Sequence, residues 1–153
     1  MRIDIIKNLT EDQIKEIDLL WNEGYPVKLK NRFGTLLDGI SEYEHHLLLN
    51  ELDKVIGWAV AFVRSDEIWF SIIISSANQN KGYGKILVES LKKNFKNLCG
   101  WVIDHNNDLK YDGSVYYSPK QFYIKNRFIL TNERIETDIL SAVKIKFNAE
   151  EAR

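Results

Sequence analysis

The chain has 153 residues, a length that favours one domain over residues 1–153 with a core of its own. Lys and Arg number 21 and Asp and Glu 22, so the net charge of −1 argues against nucleic acid or an anionic membrane as the main partner. The single cysteine excludes an internal disulfide, no Cys/His spacing suits a metal, and the sequence lacks a signal peptide and any apolar run of the ~18 residues that a membrane helix needs. We therefore expect a cytoplasmic protein that uses a cofactor or binds a ligand.

The N-terminal part of the chain predicts a strand followed by two helices. Residues 2–6 alternate between apolar and polar side chains, which is typical of a short strand. Thr10 and Gln13 fit a capping box that begins a helix reaching about residue 22, and Gly24 and Pro26 end it. Apolar residues at helical spacing predict a second helix over residues 27–37, and a loop follows at residues 39–44.

Three strands come next, over residues 46–52, 54–64 and 68–75. Their connections are short, so we predict an antiparallel meander. The third strand contains Ile72, Ile73 and Ile74 in succession, without polar alternation. That pattern indicates a strand that is buried on both faces of the sheet.

A polar loop after the third strand leads into an amphipathic helix whose first turn holds Gly82 and Gly84. Glycine in a helix lowers helix stability by about 1 kcal/mol relative to alanine, so two glycines near a helix start need a physical explanation. One reason is that glycine leaves the unpaired N–H groups of a helix N-terminus open to a phosphate, with Lys81 and Lys85 adding positive charge. The alternative is that the glycines only loosen the start of the helix.

The glycine pair fits neither of two well-known phosphate loops. A Walker A loop needs a glycine five residues before its Gly-Lys pair and Ser or Thr after it, whereas here Gln79 precedes Gly84-Lys85 and Ile86 follows. A dinucleotide fingerprint needs three glycines, and this segment has two.

The rest of the chain predicts a strand, a short helix and a final pair of strands. Residues 98–104 form a strand that a strand–helix–strand crossover places parallel to residues 68–75. After a polar loop, Ser118 and Pro119 suit the N-cap and first position of a helix that runs to about residue 126. Residues 128–136 and 141–147 complete the order β-α-α-β-β-β-α-β-α-β-β.

Two segments, in the expected order along nearly the whole chain, resemble the GNAT superfamily of N-acetyltransferases. The first is the family's acetyl-CoA pyrophosphate loop, here Gln79-Asn80-Lys81-Gly82-Tyr83-Gly84. The second is similar to its Phe-Tyr-x-Lys-x-Gly-Phe segment, here at residues 122–128. The resemblance implies an α/β (α+β) GNAT-like acyl-CoA N-acyltransferase fold, with a mixed, mostly antiparallel sheet, a splayed parallel pair of strands and about four flanking helices.

The resemblance also implies acetyl-CoA as cosubstrate and a set of residues that bind it. The backbone of Ile72, Ile73 and Ile74 would pair with the pantetheine arm as an added strand does. The N–H groups of residues 80–84 would hold the pyrophosphate, and an N–H near Ile74 would face the thioester oxygen. The expected cofactor-binding residues are Ile72, Ile73, Ile74, Gln79, Asn80, Lys81, Gly82, Tyr83, Gly84, Lys85 and Ser118.

Acetyl transfer to an amine needs a neutral nucleophile, a preset donor for the oxyanion and a proton for the leaving thiolate. Tyr123 stands at the family's tyrosine position and is the expected general acid; otherwise it is a half-buried helix tyrosine. The general base stays open. Some relatives carry a carboxylate where this chain has Ile68, so Glu67, Asp104, His105 and a chain of waters are the alternatives.

Three further positions bear on the expected site. The family often has Asn where this chain has Tyr116, and glycine where it has Arg127. A left-handed residue should end the short helix there, and Asn126 tolerates that conformation better than Arg127. Cys99 lies among strand residues, and we interpret it as a small buried apolar residue rather than an acyl carrier.

The acceptor is expected to be a primary amine of a small molecule or peptide. Asp38, Glu42 and Glu44 fall in a stretch without Lys or Arg, which predicts either an acidic mouth that attracts a cationic amine or a solvated loop. Two other functions remain open: a non-catalytic acyl-CoA-binding or regulatory module with this fold, and a plain α/β scaffold that binds a partner. The sequence leaves the oligomeric state open, a homodimer included.

Overall fold

A seven-stranded sheet organises the protein, which we describe from a computed structural model over residues 1–151. The strand order is β1-β2-β3-β4-β5-β7-β6. The strands are β1 (Arg2–Ile6), β2 (Tyr43–Leu49), β3 (Val55–Arg64), β4 (Glu67–Ile74), β5 (Asn97–Val102), β6 (Ile129–Glu136) and β7 (Ser141–Asn148). The helices are α1 (Glu11–Gly24), α2 (Tyr83–Asn94) and α3 (Lys120–Lys125). No helix within residues 1–151 combines the length and apolarity needed to cross a membrane.

The strand pairings confirm both topological predictions. β2, β3 and β4 form the predicted antiparallel meander, and β1 pairs antiparallel with β2. β4 and β5 run parallel on either side of the α2 crossover. The predicted capping box at the start of α1 is also confirmed. Thr10 Oγ1 accepts a hydrogen bond from Gln13 N at 3.1 Å, and Gln13 Oε1 accepts one from Thr10 N at 2.9 Å.

The predicted second helix over residues 27–37 is wrong. Two short 3₁₀ turns stand there, Val27–Leu29 and Phe33–Thr35. Asn31 lies between them with a left-handed φ of 65°, and its backbone N–H donates to Asn22 Oδ1 at 2.8 Å. A left-handed residue interrupts a right-handed helix, and a side-chain acceptor for its N–H removes the need for a helical partner.

The sheet is covered on both faces, and β4 contributes to both cores. Phe70 and Ile72 pack on the face that α2 and α3 cover, whereas Trp69 and Ile73 pack on the α1 face. Successive strand residues point to opposite faces, so a strand between two cores is apolar at nearly every position. The prediction that this strand is buried on both faces is thereby confirmed.

The end of α3 departs from expectation at one residue. Arg127, not Asn126, takes the left-handed conformation, with a φ of 70°. Arg127 N donates to Ile124 O and Phe128 N to Tyr123 O, which is the hydrogen-bond pattern of a Schellman motif. Asn126 instead caps the helix, because its Nδ2 donates to Phe122 O at 2.8 Å.

Candidate functional site

A cavity of about 990 Å³ opens where β4 and β5 part. The two strands pair at a single position, Trp69 with Cys99, and then diverge, so the sheet is split beyond that point. The cavity passes beside Trp69 and Ile73 on the α1 face and Phe70 and Ile72 on the other. Of the residues that the sequence predicts to bind the cofactor, it is lined by Ile72, Ile73, Ile74, Gln79, Asn80, Gly82, Tyr83, Gly84 and Lys85.

The β4 backbone faces this gap without a partner strand, and side chains occupy its two outward carbonyls: Ile72 O accepts from Tyr25 Oη at 2.7 Å and Ile74 O from Gln79 Nε2 at 3.4 Å. Ser75 N donates to Ile56 O at 2.9 Å across the β3 side. Because backbone groups alternate in direction along a strand, those of Ile72 and Ile74 face the β5 side, where the partner strand has moved away. A strand-like ligand could therefore pair with β4 here in place of β5.

The glycine loop, residues 79–84, lines part of the cavity, and its two glycines have different structural roles. Gly82 is the N-cap of α2 with a φ of 83°, and a Cβ there would meet no atom within 4 Å. Its left-handed conformation and open surroundings suit close approach of an anion to the first N–H groups of α2. A Cβ on Gly84 would lie 3.1 Å from the Phe122 ring, so Gly84 also lets α2 pack against α3.

Tyr123 lies on α3 and lines the cavity. Its side chain is 7% exposed and packs among the rings of Phe70, Phe122 and Phe128, at centroid distances of 5.1–5.7 Å. Burial, and then the neighbouring Tyr116, raise the pKa of the Tyr123 phenol, so it stays protonated at neutral pH. A protonated phenol beside an open strand edge can donate to a leaving group.

Tyr25 is a site residue that the sequence analysis missed. Its hydroxyl donates to Ile72 O at 2.7 Å and so occupies part of the β4 gap. Burial, with smaller contributions from Tyr116 and Tyr123, raises the pKa of Tyr25 well above its ordinary value, while the bond to Ile72 acts the other way. In sequence the residue stands between Gly24 and Pro26, which served only as helix-stop signals.

None of the three candidate bases lines the cavity. Lys144 Nζ donates to Glu67 Oε1 at 2.7 Å and lowers the pKa of that carboxyl, the hydrogen bond being the largest cause. Arg134 holds both oxygens of Asp104 and lowers its pKa in the same way. His105 Nδ1 accepts from the backbone of Asn107 at 3.1 Å. In the described part of the chain, no Asp, Glu or His lines the cavity.

The predicted acidic mouth is not part of the cavity. Asp38, Glu42 and Glu44 are absent from its lining among the residues the structure describes. Glu44 Oε1 instead accepts from Asn94 Nδ2 at 2.8 Å and lies 2.7 Å from His46 Nε2. The ionic side chains that do line the cavity are basic, namely those of Arg32, Arg64 and Lys85.

Two predicted cofactor residues and the cysteine also lie off the cavity lining. Lys81 is exposed on the glycine loop. The predicted N-cap at Ser118 is wrong by one residue, because α3 begins at Lys120 with Pro119 as its N-cap. Ser118 Oγ donates to Ile103 O at 2.5 Å and accepts from Lys120 N at 3.2 Å. Cys99 is 3% exposed, and burial is the main cause that raises the pKa of its thiol to about 12, as suits a buried apolar residue.

Comparisons with known proteins agree with this geometry. The sequence model of the acetyltransferase (GNAT) family matches residues 10–108. No curated protein sequence matches the chain.

Several solved structures share the fold. An acyl-CoA N-acyltransferase from Pseudomonas aeruginosa has a TM-score of 0.69 at 12% identity, over 95% of this chain and 98% of that one. A phosphinothricin acetyltransferase of the GNAT superfamily from Sinorhizobium meliloti, in complex with AcCoA, has a TM-score of 0.58 at 18% identity, over 97% and 89%. The ribosomal-protein-S18-alanine N-acetyltransferase of Escherichia coli has a TM-score of 0.63 at 18% identity, over 97% and 94%.

At 12–18% identity the solved structures show that the fold is shared, whereas the match to the sequence model of the family shows family membership. The matched residues contain α1, the meander, the split pair of strands and the glycine loop. Because that match extends over more than half of the chain, the protein belongs to the GNAT family of acetyltransferases.

Proposed function

We propose that this protein transfers an acetyl group from acetyl-CoA to a primary amine of a small molecule or peptide by direct attack. The observation that carries the proposal is the cavity through the split sheet. It joins a glycine-capped helix N-terminus, a stretch of β4 backbone without a partner strand and a protonated tyrosine. These are the three features that pyrophosphate binding, thioester binding and leaving-group protonation require.

The cofactor would lie along β4 from the glycine loop inwards. N–H groups of residues 80–84 would bind the pyrophosphate at the start of α2, with Lys85 and the more distant Lys81 contributing positive charge. The outward backbone groups of Ile72 and Ile74 would pair with the pantetheine arm. Ser118 would contact the cofactor only through whatever capacity remains to its hydroxyl beyond the bonds to Ile103 and Lys120.

In the reaction, a bond forms between the amine nitrogen and the thioester carbon, and the carbon–sulfur bond breaks. An N–H of the β4 backbone near Ile74 would stabilise the developing oxyanion. Tyr123 would donate its proton to the leaving thiolate, and the amine would lose its extra proton to water. The apolar cavity wall favours the neutral form of a bound amine, so this scheme needs no side-chain base.

A thermal melt with and without acetyl-CoA tests the first half of the proposal. A ligand at a hundred times its dissociation constant adds about 2.7 kcal/mol to the free energy of unfolding, which is a rise of roughly 5–10 °C for a chain of this size. A transfer assay with primary amines tests the second half. Transfer only to hydroxyl or anionic oxygen acceptors would contradict N-acetylation.

One observation favours a second candidate, an acyl-CoA-binding or regulatory module with this fold. The described lining of the cavity contains no carboxylate or histidine that could act as general base. Such a module would show the thermal shift with acetyl-CoA, no acetyl transfer to any amine, and no effect of removing the Tyr123 hydroxyl.

A further inference from the structure

The part of the cavity on the α1 face has a chemistry of its own. Its wall is mostly aromatic and aliphatic, built from Phe62, Trp69 and Trp101 on the strands and from Ile135, Ile139 and Leu140 in the β6–β7 hairpin. The rings of Trp69 and Trp101 lie 5.3 Å apart. The sheet separates this chamber from α2 and its glycine loop, so it is the side from which an acceptor would approach the thioester.

Two arginines complete the lining of this chamber. The Arg64 guanidinium lies over the Trp69 ring at 4.5 Å from its centroid, and Trp69 Nε1 donates to Arg64 O at 3.2 Å. Arg32 reaches the cavity from the turn before Phe33–Thr35. Among residues 1–151 neither arginine forms an ion pair, and no carboxylate lines the cavity with them.

This arrangement discriminates between acceptors by their charge. A second cationic group on the acceptor would meet two arginines and no carboxylate in the described cavity lining, because Glu67, the cross-strand partner of Arg64, lies outside that lining and is paired with Lys144 and Lys146. A carboxylate on the acceptor would find arginine donors free to bind it. Arg64 is exposed, and its guanidinium, which lies over the Trp69 and Phe62 rings, forms no ion pair within residues 1–151, so its N–H groups can bind a carboxylate. Apolar surface on the body of the acceptor gains about 25 cal/mol for each Å² buried against the wall.

The position of Arg64 also constrains the length of the acceptor. The thioester-binding backbone begins at Ile72, three residues along β4 from Trp69, and a strand rises about 3.3 Å per residue. We therefore expect the amine and the anionic group of the acceptor to lie about 10 Å apart. A short α-amino acid cannot bridge that distance, but an extended amine with a terminal carboxylate can.

We propose that the acceptor is an elongated primary amine with an apolar or aromatic body and an anionic group at its far end, bound by Arg64 with help from Arg32. The inference rests on the proposed acetyl transfer, since it places the amine at the β4 backbone.

Three amines of equal length test it, namely ω-aminooctanoate, octylamine and octamethylenediamine, with far ends that are anionic, neutral and cationic. We expect kcat/KM to fall in that order, by about tenfold or more from first to last, as the loss of a charge-assisted hydrogen bond implies. Arg64→Gln should abolish most of the preference for the anionic amine over octylamine. Lys15→Gln, at an exposed α1 position outside the cavity lining, is the matched control.

Binding of each amine to the protein with CoA, measured by calorimetry, gives a readout that does not need turnover. Tighter binding of the anionic amine that Arg64→Gln removes supports the inference even if no transfer occurs, and in that case the proposed function fails alone. A preference for the diamine, an equal response of all three amines, or an unchanged preference in Arg64→Gln and Arg32→Gln overturns the inference while leaving acetyl transfer in place. Absence of binding by every amine overturns it as well.

Discussion

A single phenol carries the proton-transfer step of the proposed reaction. Tyr123→Phe removes the hydroxyl but keeps the ring that packs between Phe70 and Phe128. We expect kcat to fall roughly ten- to a thousand-fold, with little change in acetyl-CoA affinity or in the melting temperature, because an acid acts in the transition state and not in binding. Steady-state kinetics and acetyl-CoA titration measure these two effects separately.

Tyr111→Phe is the matched control for this substitution, since Tyr111 is 58% exposed and does not line the cavity. It should leave kcat unchanged. If kcat is equally unchanged in Tyr123→Phe, Tyr123 has no part in the mechanism.

A buried histidine links stability to pH. His45 is 3% exposed, and its Nδ1 accepts from Trp58 Nε1 at 3.0 Å, so the ring must be neutral there. Burial, followed by the neighbouring His46, lowers the pKa of His45 from 6.5 to about 4. Between pH 6.5 and about pH 4, the unfolded chain therefore binds a proton at His45 that the folded protein does not bind. The stabilisation is complete above about pH 6.5 and is lost as the pH falls towards 4.

His45→Asn keeps an acceptor for Trp58 but cannot titrate. Between pH 7 and about pH 4.5 we expect the wild type to lose on the order of 2 kcal/mol more of its free energy of unfolding than the variant does. Urea denaturation at several pH values measures this. His105→Asn, in a loop outside the core, should keep the wild-type pH dependence, and a His45→Asn curve parallel to the wild type would contradict the linkage.

At the residue scale, the sequence predicted those candidate site residues that belong to a short motif. The glycine loop and Tyr123 follow from motifs a few residues long. Tyr25 and Arg64 could not be found that way. Tyr25 reaches its hydrogen-bond partner across 47 residues of chain, and Arg64 lines the cavity only because the β4 and β5 strands part beside Trp69.

The glycine loop is the element on which the proposed acetyl-CoA binding depends. Gly82→Ala places a Cβ next to the N–H groups that would bind the pyrophosphate, in a left-handed conformation that costs a non-glycine residue about 1 kcal/mol or more. We expect acetyl-CoA affinity to fall about tenfold or more, and Gly82→Val to weaken it further because its side chain is larger. Calorimetric titration with acetyl-CoA gives the affinity directly.

Gly113 provides a matched control, because it has the same φ of 83°, an equally open Cβ position and no place in the cavity lining. Gly113→Ala should lose similar stability and keep full acetyl-CoA affinity. Equal affinity in Gly82→Ala and Gly113→Ala would mean that the glycine loop does not bind the phosphates.

Helices and strands were predictable where the spacing of apolar residues agreed with the residues that begin and end the element. The α1 capping box, the β4 apolar run and the β4–α2–β5 crossover all have such agreement. Residues 27–37 have a helical apolar period without it, because Asn31 and Gly34 lie inside the period. The apolar side chains of Phe33 and Leu36 still pack against the α1 core, from 3₁₀ turns. The spacing of these apolar residues therefore predicted that they are buried, but not that 3₁₀ turns rather than an α-helix carry them.

At the scale of the whole molecule, the proposed reaction site is a gap in the sheet rather than a pocket on it. A split between two parallel strands exposes β4 backbone to both faces of the protein, so a cosubstrate and an acceptor can meet from opposite sides. The order of strands predicted this parallel pair. The charge of the chamber was not predictable, since Arg32 and Arg64 come from separate elements, and the acidic stretch considered in the sequence faces elsewhere.

The lining of that gap sets how the reaction depends on pH. The described lining contains no Asp, Glu or His, and Tyr123 stays protonated because burial raises its pKa. The protein must therefore bind the neutral amine, and kcat/KM should rise with pH up to the pKa of the acceptor itself. Octylamine and its β,β-difluoro analogue have the same shape, but the fluorines lower the pKa of the amine. We expect the rising limb to move down in pH with the analogue. A limb fixed at one pH for both amines would instead reveal a titrating base of the protein.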